Sequence, residues 1–303
     1  MIMFRSHTMM NSRRWMSTKM QICHDIASFR QARANVHKGL TVGYVPTMGG
    51  LHEGHISLIQ QARKQCDVVV SSVFVNPAQF GPNEDFDKYP RTFDADMAKL
   101  GENGVDIVFV PQTKDMYLPE HRVYVDPVGF DDVPEGKCRP GFFRGVATVV
   151  TKLFNIVAPT HAFFGQKDAV QCVVIKRIIE DLNFPIELKV LKTKREENGL
   201  AMSTRNQYLS PAERTASAVI YAGLKSAQDL FKNATTSSIP AATLRDNIES
   251  IYRSEPLLND IQYISIASKE TMDELTDVDT TAGAIISVAV KVGNCRLIDN
   301  IGL

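Results

Sequence analysis

The sequence predicts an α/β protein: a Rossmann-like parallel sheet domain followed by a smaller C-terminal α+β domain. Three observations carry that prediction. Apolar β-branched runs alternate with helical stretches about five times through residues 40–200, the pattern of a parallel sheet wrapped by helices. Loops rich in Pro and Gly recur at the carboxyl ends of those runs, where such folds bind ligands. After Ser210-Pro211 the alternation stops, and two helices precede three strands. The 303 residues thus divide into a flexible or transit-like segment 1–22, a Rossmann-like domain over 23–207 and a second domain over 208–303.

Taken in order, residues 23–38 read as a helix leading into the first strand. Residues 41–45 are β-rich and stop at Pro46, which has no N–H to donate. Gly49 and Gly50 follow, where backbone can approach a ligand with no Cβ in the way. His52, Glu53, Gly54 and His55 then enter a helix whose Ile56, Ile59, Ala62 and Cys66 recur at helical spacing. Strand, glycine turn and helix start make a place to hold phosphate, because the first helical turn has unpaired N–H groups and a partial positive charge. Two imidazoles three residues apart would face the same side and add donors.

Residues 67–75 (DVVVSSVFV) form a nearly continuous apolar run, suited to a strand buried on both faces. It ends in NPAQFG (76–81). A helix over 93–103 and a strand over 106–110 follow. Residues 126–143 read as a long loop, with a functional lid the expectation for its length. Next come a helix over 144–157, a strand over 160–164, the turn FGQKDAVQ, a helix over 168–182 and a strand over 186–191. The loop TKREENGLAMSTRN closes the first domain. Beyond it, helices over 211–231 and 241–253 flank a polar stretch at 233–238, and strands cover 260–267, 284–292 and 296–300. The loops 48–55, 76–81, 165–171 and 202–206 all sit at strand ends and should converge on one crevice.

Composition narrows the chemistry. Hydrophobic content of 44% and charged content of 22% are ordinary for a soluble enzyme. Lys+Arg 34 equals Asp+Glu 34, so no net field draws nucleic acid or an anionic membrane, and any anion site must be local. The five cysteines (Cys23, Cys66, Cys138, Cys172, Cys295) are scattered with no CxxC pair, against a zinc ribbon or a disulfide framework and in favour of a reducing compartment. No apolar run approaches the ~18–20 residues of a membrane span. From Met1 to His24 there is no acid, and Arg5, Arg13, Arg14 and Lys19 alternate with polar and apolar residues. That suits a mitochondrial transit segment, and equally a tail preceding a later start methionine; the location is cytoplasmic or the mitochondrial matrix.

HEGH is not a zinc-hydrolase helix, which needs its histidines at i and i+4. A lone helix terminus stabilises an anion by only ~0.3–1 kcal/mol, too little for a triphosphate. Charge-assisted hydrogen bonds at ~1.5–3 kcal/mol each must supply the rest. Lys167 and Arg205 are the candidate cations, with Ser203 and Thr204 as hydroxyl donors. Read alone, GQKD is a solvated turn and MSTRN a capped loop; their shared place at strand ends is what makes them candidates.

Together PTMGGLHEGH (46–55), VNPAQFGPNEDFDKYPRT (75–92), RPGFFRGVATVVTKLFN (139–155), FGQKDAVQ (164–171) and NGLAMSTRNQYLS (198–210) resemble, in order, the signatures of the pantothenate synthetase (pantoate–β-alanine ligase) family. That family belongs to the HxGH nucleotidylyltransferases, related to class I aminoacyl-tRNA synthetases. The resemblance implies condensation of pantoate with β-alanine through a pantoyl-adenylate, driven by ATP and releasing AMP and pyrophosphate. It places Met48, Gly49, Gly50, Leu51, His52, Glu53, Gly54 and His55 along ATP, with His55 a proton donor and His52 on the phosphates. Gly165, Gln166, Lys167 and Asp168 would also bind ATP, Lys167 on phosphate and Asp168 on ribose. Lys194 would offer backbone to adenine, and Met202, Ser203, Thr204 and Arg205 would form a mobile cationic loop. Gln79 and Gln171 would bind pantoate, and Gln79 also β-alanine.

Mg²⁺ should accompany the triphosphate, with Asp96 a candidate carboxylate, and the family is usually a homodimer. The sequence departs from the family's common Glu at Gln166, Ala at Gly50, Ser at Thr204 and His at Phe142. The last change removes an imidazole and puts the expected pantoate contact of Arg139 in doubt. Two competing functions are an adenylyltransferase that stops at a nucleotidylated product and a non-catalytic nucleotide-binding scaffold.

Overall fold

The computed structural model describes residues 19–82 and 84–303. The segment 1–22, with its transit-like reading, lies outside them apart from residues 19–22. In chain order the first sheet and its helices are β1 (Gln21–Cys23), α1 (Ile26–Ala34), β2 (Val42–Thr47), α2 (Glu53–Gln65), β3 (Val68–Val73), α3 (Phe93–Glu102), β4 (Ile107–Phe109), α4 (Thr113–Met116), α5 (Pro134–Cys138), α6 (Phe142–Val157), β5 (His161–Gly165), α7 (Ala169–Asp181) and β6 (Glu187–Leu191). The six strands are all parallel, in the order β1-β4-β3-β2-β5-β6.

The sheet is covered on both faces. Its centre is apolar throughout, Val68, Val69 and Val70 of β3 being fully buried, as a strand between two helical layers requires. On one face α1, α6 and α7 pack Phe29, Phe154 and Ile175 against Tyr44 and Val70. On the other, α2 and α3 pack Ile59, Ala62 and Leu100 against Val45 and Val69.

The second unit comprises α8 (Pro211–Ala216), α9 (Ala218–Lys232), β7 (Ser238–Pro240), α10 (Ala241–Tyr252), β8 (Leu258–Ala267), β9 (Asp277–Asp279), β10 (Ile285–Val292) and β11 (Cys295–Gly302). Here β8, β10 and β11 form an antiparallel sheet in the order β11-β10-β8, and β7 pairs with β9. Helices α9 and α10 bury Leu224, Leu244 and Ile248 against Ile286, Val288 and Val290 of that sheet. The predicted fold class is the one found.

Several elements differ from expectation, each for a local reason. The expected helix over 23–38 starts later, because Asp25 caps it by accepting from the Ser28 N–H at 2.8 Å. Ahead of the cap, Gln21–Cys23 pairs with β4 as an edge strand, too short for period-two alternation to reveal. The long loop at 126–143 contains α5 and the start of α6. The expected helix over 211–231 is two helices meeting at the fully buried Ser217, whose hydroxyl donates to the Glu213 carbonyl. All five cysteines are free. No helix among the described residues is long and apolar enough to cross a membrane.

Candidate active site

The sheet order puts a switch point between β2 and β5. From β2 the chain steps outward through β3 to β4, then returns to lay β5 on the other side of β2. The loops leaving β2 and β5 therefore diverge and leave a crevice at the strands' carboxyl ends, where open α/β sheets bind ligands.

In the loop after β2, Gly49 and Gly50 adopt left-handed backbone, with φ of 86° and 62°. The loop is gripped from α3. Asp96, 1% exposed, accepts from the Gly50 N–H at 2.9 Å and the Leu51 N–H at 2.8 Å, while Lys99 Nζ donates to the Leu51 carbonyl at 2.6 Å. This corrects the expectation for Asp96. Its carboxylate is buried under the loop with both oxygens accepting from backbone and is not among the lining residues of the cavity, so it shapes the glycine loop and is not placed as a metal ligand. Among the described residues no group of three or more His, Cys, Asp or Glu is arranged to hold a metal.

His52 and His55 cap α2 reciprocally. His52 Nδ1 accepts from the Gly54 N–H at 3.1 Å, and His55 Nδ1 accepts from the His52 N–H at 3.3 Å. Gly54 is required here, because a Cβ on it would lie 2.7 Å from His52 Cε1. The rings sit 4.1 Å apart between centroids. A neutral imidazole that accepts at Nδ1 carries its proton on Nε2, so the cap sets both tautomers. Burial holds the His52 pKa down to about 3, helped by His55 and Lys167. Burial, then Lys167 and Lys99, hold His55 at about 4. Near neutral pH both are therefore uncharged donors in the free protein. His55, expected as a proton donor, is in the free protein a neutral hydrogen-bond donor.

Facing them across the crevice, Lys167 leaves the turn after β5, its Nζ 3.7 Å from Asp168. The loop after β6 folds over the glycine turn: Thr204 Oγ1 donates to the Gly50 carbonyl at 3.1 Å, and Ser203 Oγ accepts from the Arg205 N–H at 3.3 Å. Arg205 makes a bidentate pair with Asp85, at 2.9 and 2.7 Å. Burial alone would lower the Arg205 pKa, but the Asp85 hydrogen bonds and charge outweigh it and raise it. At the other end, Arg139 pairs with Glu84 at 2.8 and 2.7 Å and donates to the Gln79 carbonyl at 3.2 Å. Its guanidinium lies 3.6 Å from the centre of the Phe142 ring, so the aromatic residue at 142 orients Arg139 by stacking. The Gln79 amide is held by Asn76, whose Nδ2 donates to Gln79 Oε1 at 3.0 Å, and by Met48 Sδ at 3.3 Å.

One cavity of about 610 Å³ joins these groups, within the range of small-molecule sites. Of the residues expected there, Met48, His52, Gly54, His55, Gln79, Gly165, Lys167, Asp168, Gln171, Lys194, Met202, Ser203, Thr204 and Arg205 line it. Gly49, Gly50, Leu51, Glu53 and Gln166 are not brought to the wall: Leu51 is buried in the core beside α2, Gly50 is covered by Thr204, and Glu53 is exposed. Sequence reasoning missed Asn76, Glu84, Asp85, Tyr89 and Arg296 as lining residues and left Arg139 aside. For Asn76 a signal existed, since Asn before Pro caps a turn, and it does cap the short 3-10 helix Pro77–Gln79.

Comparison with known proteins fits this geometry. The family model for pantoate-beta-alanine ligase matches residues 21–302. The chain belongs to the pantoate–β-alanine ligase family. Pantothenate synthetase from Chloroflexus aurantiacus is 47% identical over 281 residues, 93% of this chain and 97% of the relative. That from Moorella thermoacetica is 45% identical, covering 94% and 99%. Among solved structures, the family member from Thermus thermophilus superposes with a TM-score of 0.86 at 41% identity, covering 93% of this chain and 99% of that one. The Francisella tularensis pantoate-beta-alanine ligase, crystallised with β-γ ATP and β-alanine, gives a TM-score of 0.76 at 35% identity, covering 93% and 97%.

Proposed function

We propose that this cleft performs the reaction of its family, the ATP-dependent condensation of pantoate with β-alanine. The observation that carries the reading is the meeting of four chain segments in one cavity: the His52–His55 pair, Lys167, Arg205 and, at the far end, the amides of Gln79 and Gln171. In the first step the pantoate carboxylate attacks the α-phosphorus of ATP, giving pantoyl-adenylate and pyrophosphate. The β-alanine amine then attacks the acyl carbon, releasing AMP and pantothenate. No enzyme nucleophile is needed, so catalysis is positioning plus stabilisation of charge on the phosphates.

The neutral Nε2–H groups of His52 and His55 would donate to phosphate oxygens beside the α2 terminus, and Lys167 and Arg205 would supply cations. Asp168 would take the ribose and the Lys194 backbone the adenine. Gln79 and Gln171, whose amides both donate and accept, suit a ligand bearing hydroxyls and a carboxylate, with Gln79 also meeting β-alanine. Mg²⁺ would enter with the triphosphate: it binds through substrate phosphates plus one or two carboxylates, so no dedicated protein cage is required. The ligands of the Francisella relative support both the nucleotide and the amine substrate.

Mass detection of products tests the reading. AMP and pantothenate should form only when ATP, pantoate and β-alanine are all present. Release of ADP, or AMP formation indifferent to β-alanine, would refute it. We further propose a domain boundary near 207–208, supported by the packing of Leu209 and of nearly all buried apolar residues after it into the second core, which Leu200 of the preceding loop also joins. A homodimer is proposed from the family, supported by the exposed Leu118, Val123 and Val128; light scattering reads it. The chain works in the cytoplasm or the mitochondrial matrix, a choice that rests with residues 1–22 and is read by imaging fusions with and without them.

A further inference from the structure

The last strand of the chain reaches back to the nucleotide side of the cleft. On β11, Asn300 is 2% exposed, and its Nδ2 donates to the Gln166 carbonyl at 2.7 Å and the Lys167 carbonyl at 2.8 Å. Those carbonyls belong to the turn between β5 and α7 that carries Lys167 into the cavity. One residue earlier, Asp299 takes Arg195 in a bidentate pair at 2.5 and 3.0 Å, and Arg195 also donates to the Gly199 carbonyl at 3.1 Å. Arg195 bridges to Ala201, and the Met202 N–H donates to the Lys194 carbonyl at 2.9 Å. A single dipeptide of the C-terminal sheet thus holds both loops that face the phosphates.

The way the amide is used is informative. Both Nδ2 protons go to carbonyls, whereas Oδ1 has no protein partner among the described residues. The residue is there for its donors. Two carbonyl dipoles converging on one point repel unless a two-proton donor lies between them, so a side chain of the same shape without those protons would let the turn open.

We propose that Asn300 is a positioning residue for the use of ATP. Its amide sets the Gln166–Lys167 turn so that Lys167 faces the triphosphate, while Asp299 and Arg195 set the adjoining loop in the same register. The inference rests on the assignment of residues 165–168 to ATP made above.

The test measures AMP formation by the full chain, varying ATP and then pantoate. Asn300→Asp keeps the shape and removes donors; Asn300→Ala removes them without adding an acid. Displacement of a binding group by about 1 Å is enough for a loss on the order of 100-fold, so kcat/KM for ATP should fall about 10- to 100-fold, with KM for pantoate within about twofold. Relative to the unaltered chain, Asn300→Asp should recover as pH is lowered, because a protonated carboxyl donates one hydrogen bond, and Asn300→Ala should not. A purely structural role would not give that pH difference.

Lys167→Ala is the control. If it leaves ATP kinetics unchanged, the assignment of 165–168 to ATP fails and this inference with it. If Lys167→Ala is impaired while both Asn300 variants stay within about threefold of the unaltered chain, the inference alone fails. Equal losses toward ATP and pantoate, or failure of both variants to fold, would also overturn it by showing that the residue serves the fold.

Discussion

Replacing Asp96 by alanine should weaken the fold and the phosphate loop together while leaving the magnesium requirement in place. The carboxylate is buried and accepts two backbone N–H bonds, at 2.9 and 2.8 Å. Bonds to a charged group contribute ~1.5–3 kcal/mol each, so the variant loses roughly 3–6 kcal/mol and leaves two N–H groups unpaired in a closed site. At about 2–4 °C per kcal/mol for domains of this size, Tm should drop by roughly 6–24 °C in a calorimetric melt. Asp96→Asn keeps one accepting oxygen and turns an NH₂ toward the other N–H, so its loss should be similar or somewhat smaller. Activity should fall in both because Gly50 and Leu51 lead directly into His52. The Mg²⁺ concentration giving half-maximal AMP formation should stay within about twofold. A variant with unchanged Tm and a roughly tenfold higher Mg²⁺ requirement would refute this reasoning and return Asp96 to the role of ion ligand.

Two further predictions concern the same loop. The folded pKa values of His52 and His55, about 3 and about 4, lie below the ordinary 6.5, so the unfolded chain takes up protons first as pH falls. Stability from these groups is full above about pH 6.5 and is lost at up to ~1.4 kcal/mol per imidazole per pH unit down toward pH 4. Urea midpoints at pH 7 and pH 5 should show this, and a His52→Asn, His55→Asn double variant should show a shallower slope; equal slopes would sink the assignment. The second concerns Gly50, where a Cβ would lie 2.5 Å from Thr204 Cγ2. Gly50→Ala should be destabilising, and Thr204→Ser, which removes that methyl but keeps the hydroxyl, should restore about 1 kcal/mol of the loss in a double-mutant cycle. Part of the cost should remain because φ is 62°. Strict additivity would show that the two loops do not touch as described.

What could be read from the residues was the local chemistry. Gly49 and Gly50 announce a left-handed turn, since glycine pays no steric cost there, and the polar residues after them a helix start. Pro46, expected to end the strand, instead lies within β2, which pairs with β3 through Thr47. The convergence of four loops followed from parallel-sheet topology, which places all carboxyl ends on one side. The partners of charged groups were not readable, because they are tertiary. Asp96 looks like a solvated helix acid until the fold brings residues 50 and 51 onto it. Gly50 and Thr204 look independent in the sequence, yet the structure puts them in contact, with no room for a Cβ at Gly50 beside the Thr204 methyl. Asn300 sits on a strand whose alternation says only that it is inward or outward. Three-residue strands such as β1, β7 and β9 carry too few side chains for any periodicity.

A chain with no net charge still has to present an anion site, and the way it does so follows from the cost of buried cations. An arginine taken out of water without a counter-charge is costly by several kcal/mol. Here the three cleft arginines are all paired with acids, Arg205 with Asp85 and Arg139 with Glu84 of one short loop, and Arg296 with Glu135 of α5. The histidines avoid the cost by staying neutral, and their caps spend Nδ1 so that Nε2–H remains to donate. In the proposed reading the anion-facing donors would be neutral imidazole N–H groups, backbone at the α2 terminus, Lys167 with its half-exposed neighbour Asp168, and Arg205 held by Asp85. On that reading selectivity for a polyphosphate would come from where donors are fixed and not from a positive field, so Asp96 and Asn300, which hold the backbone of the two loops, should matter as much as the cations those loops carry.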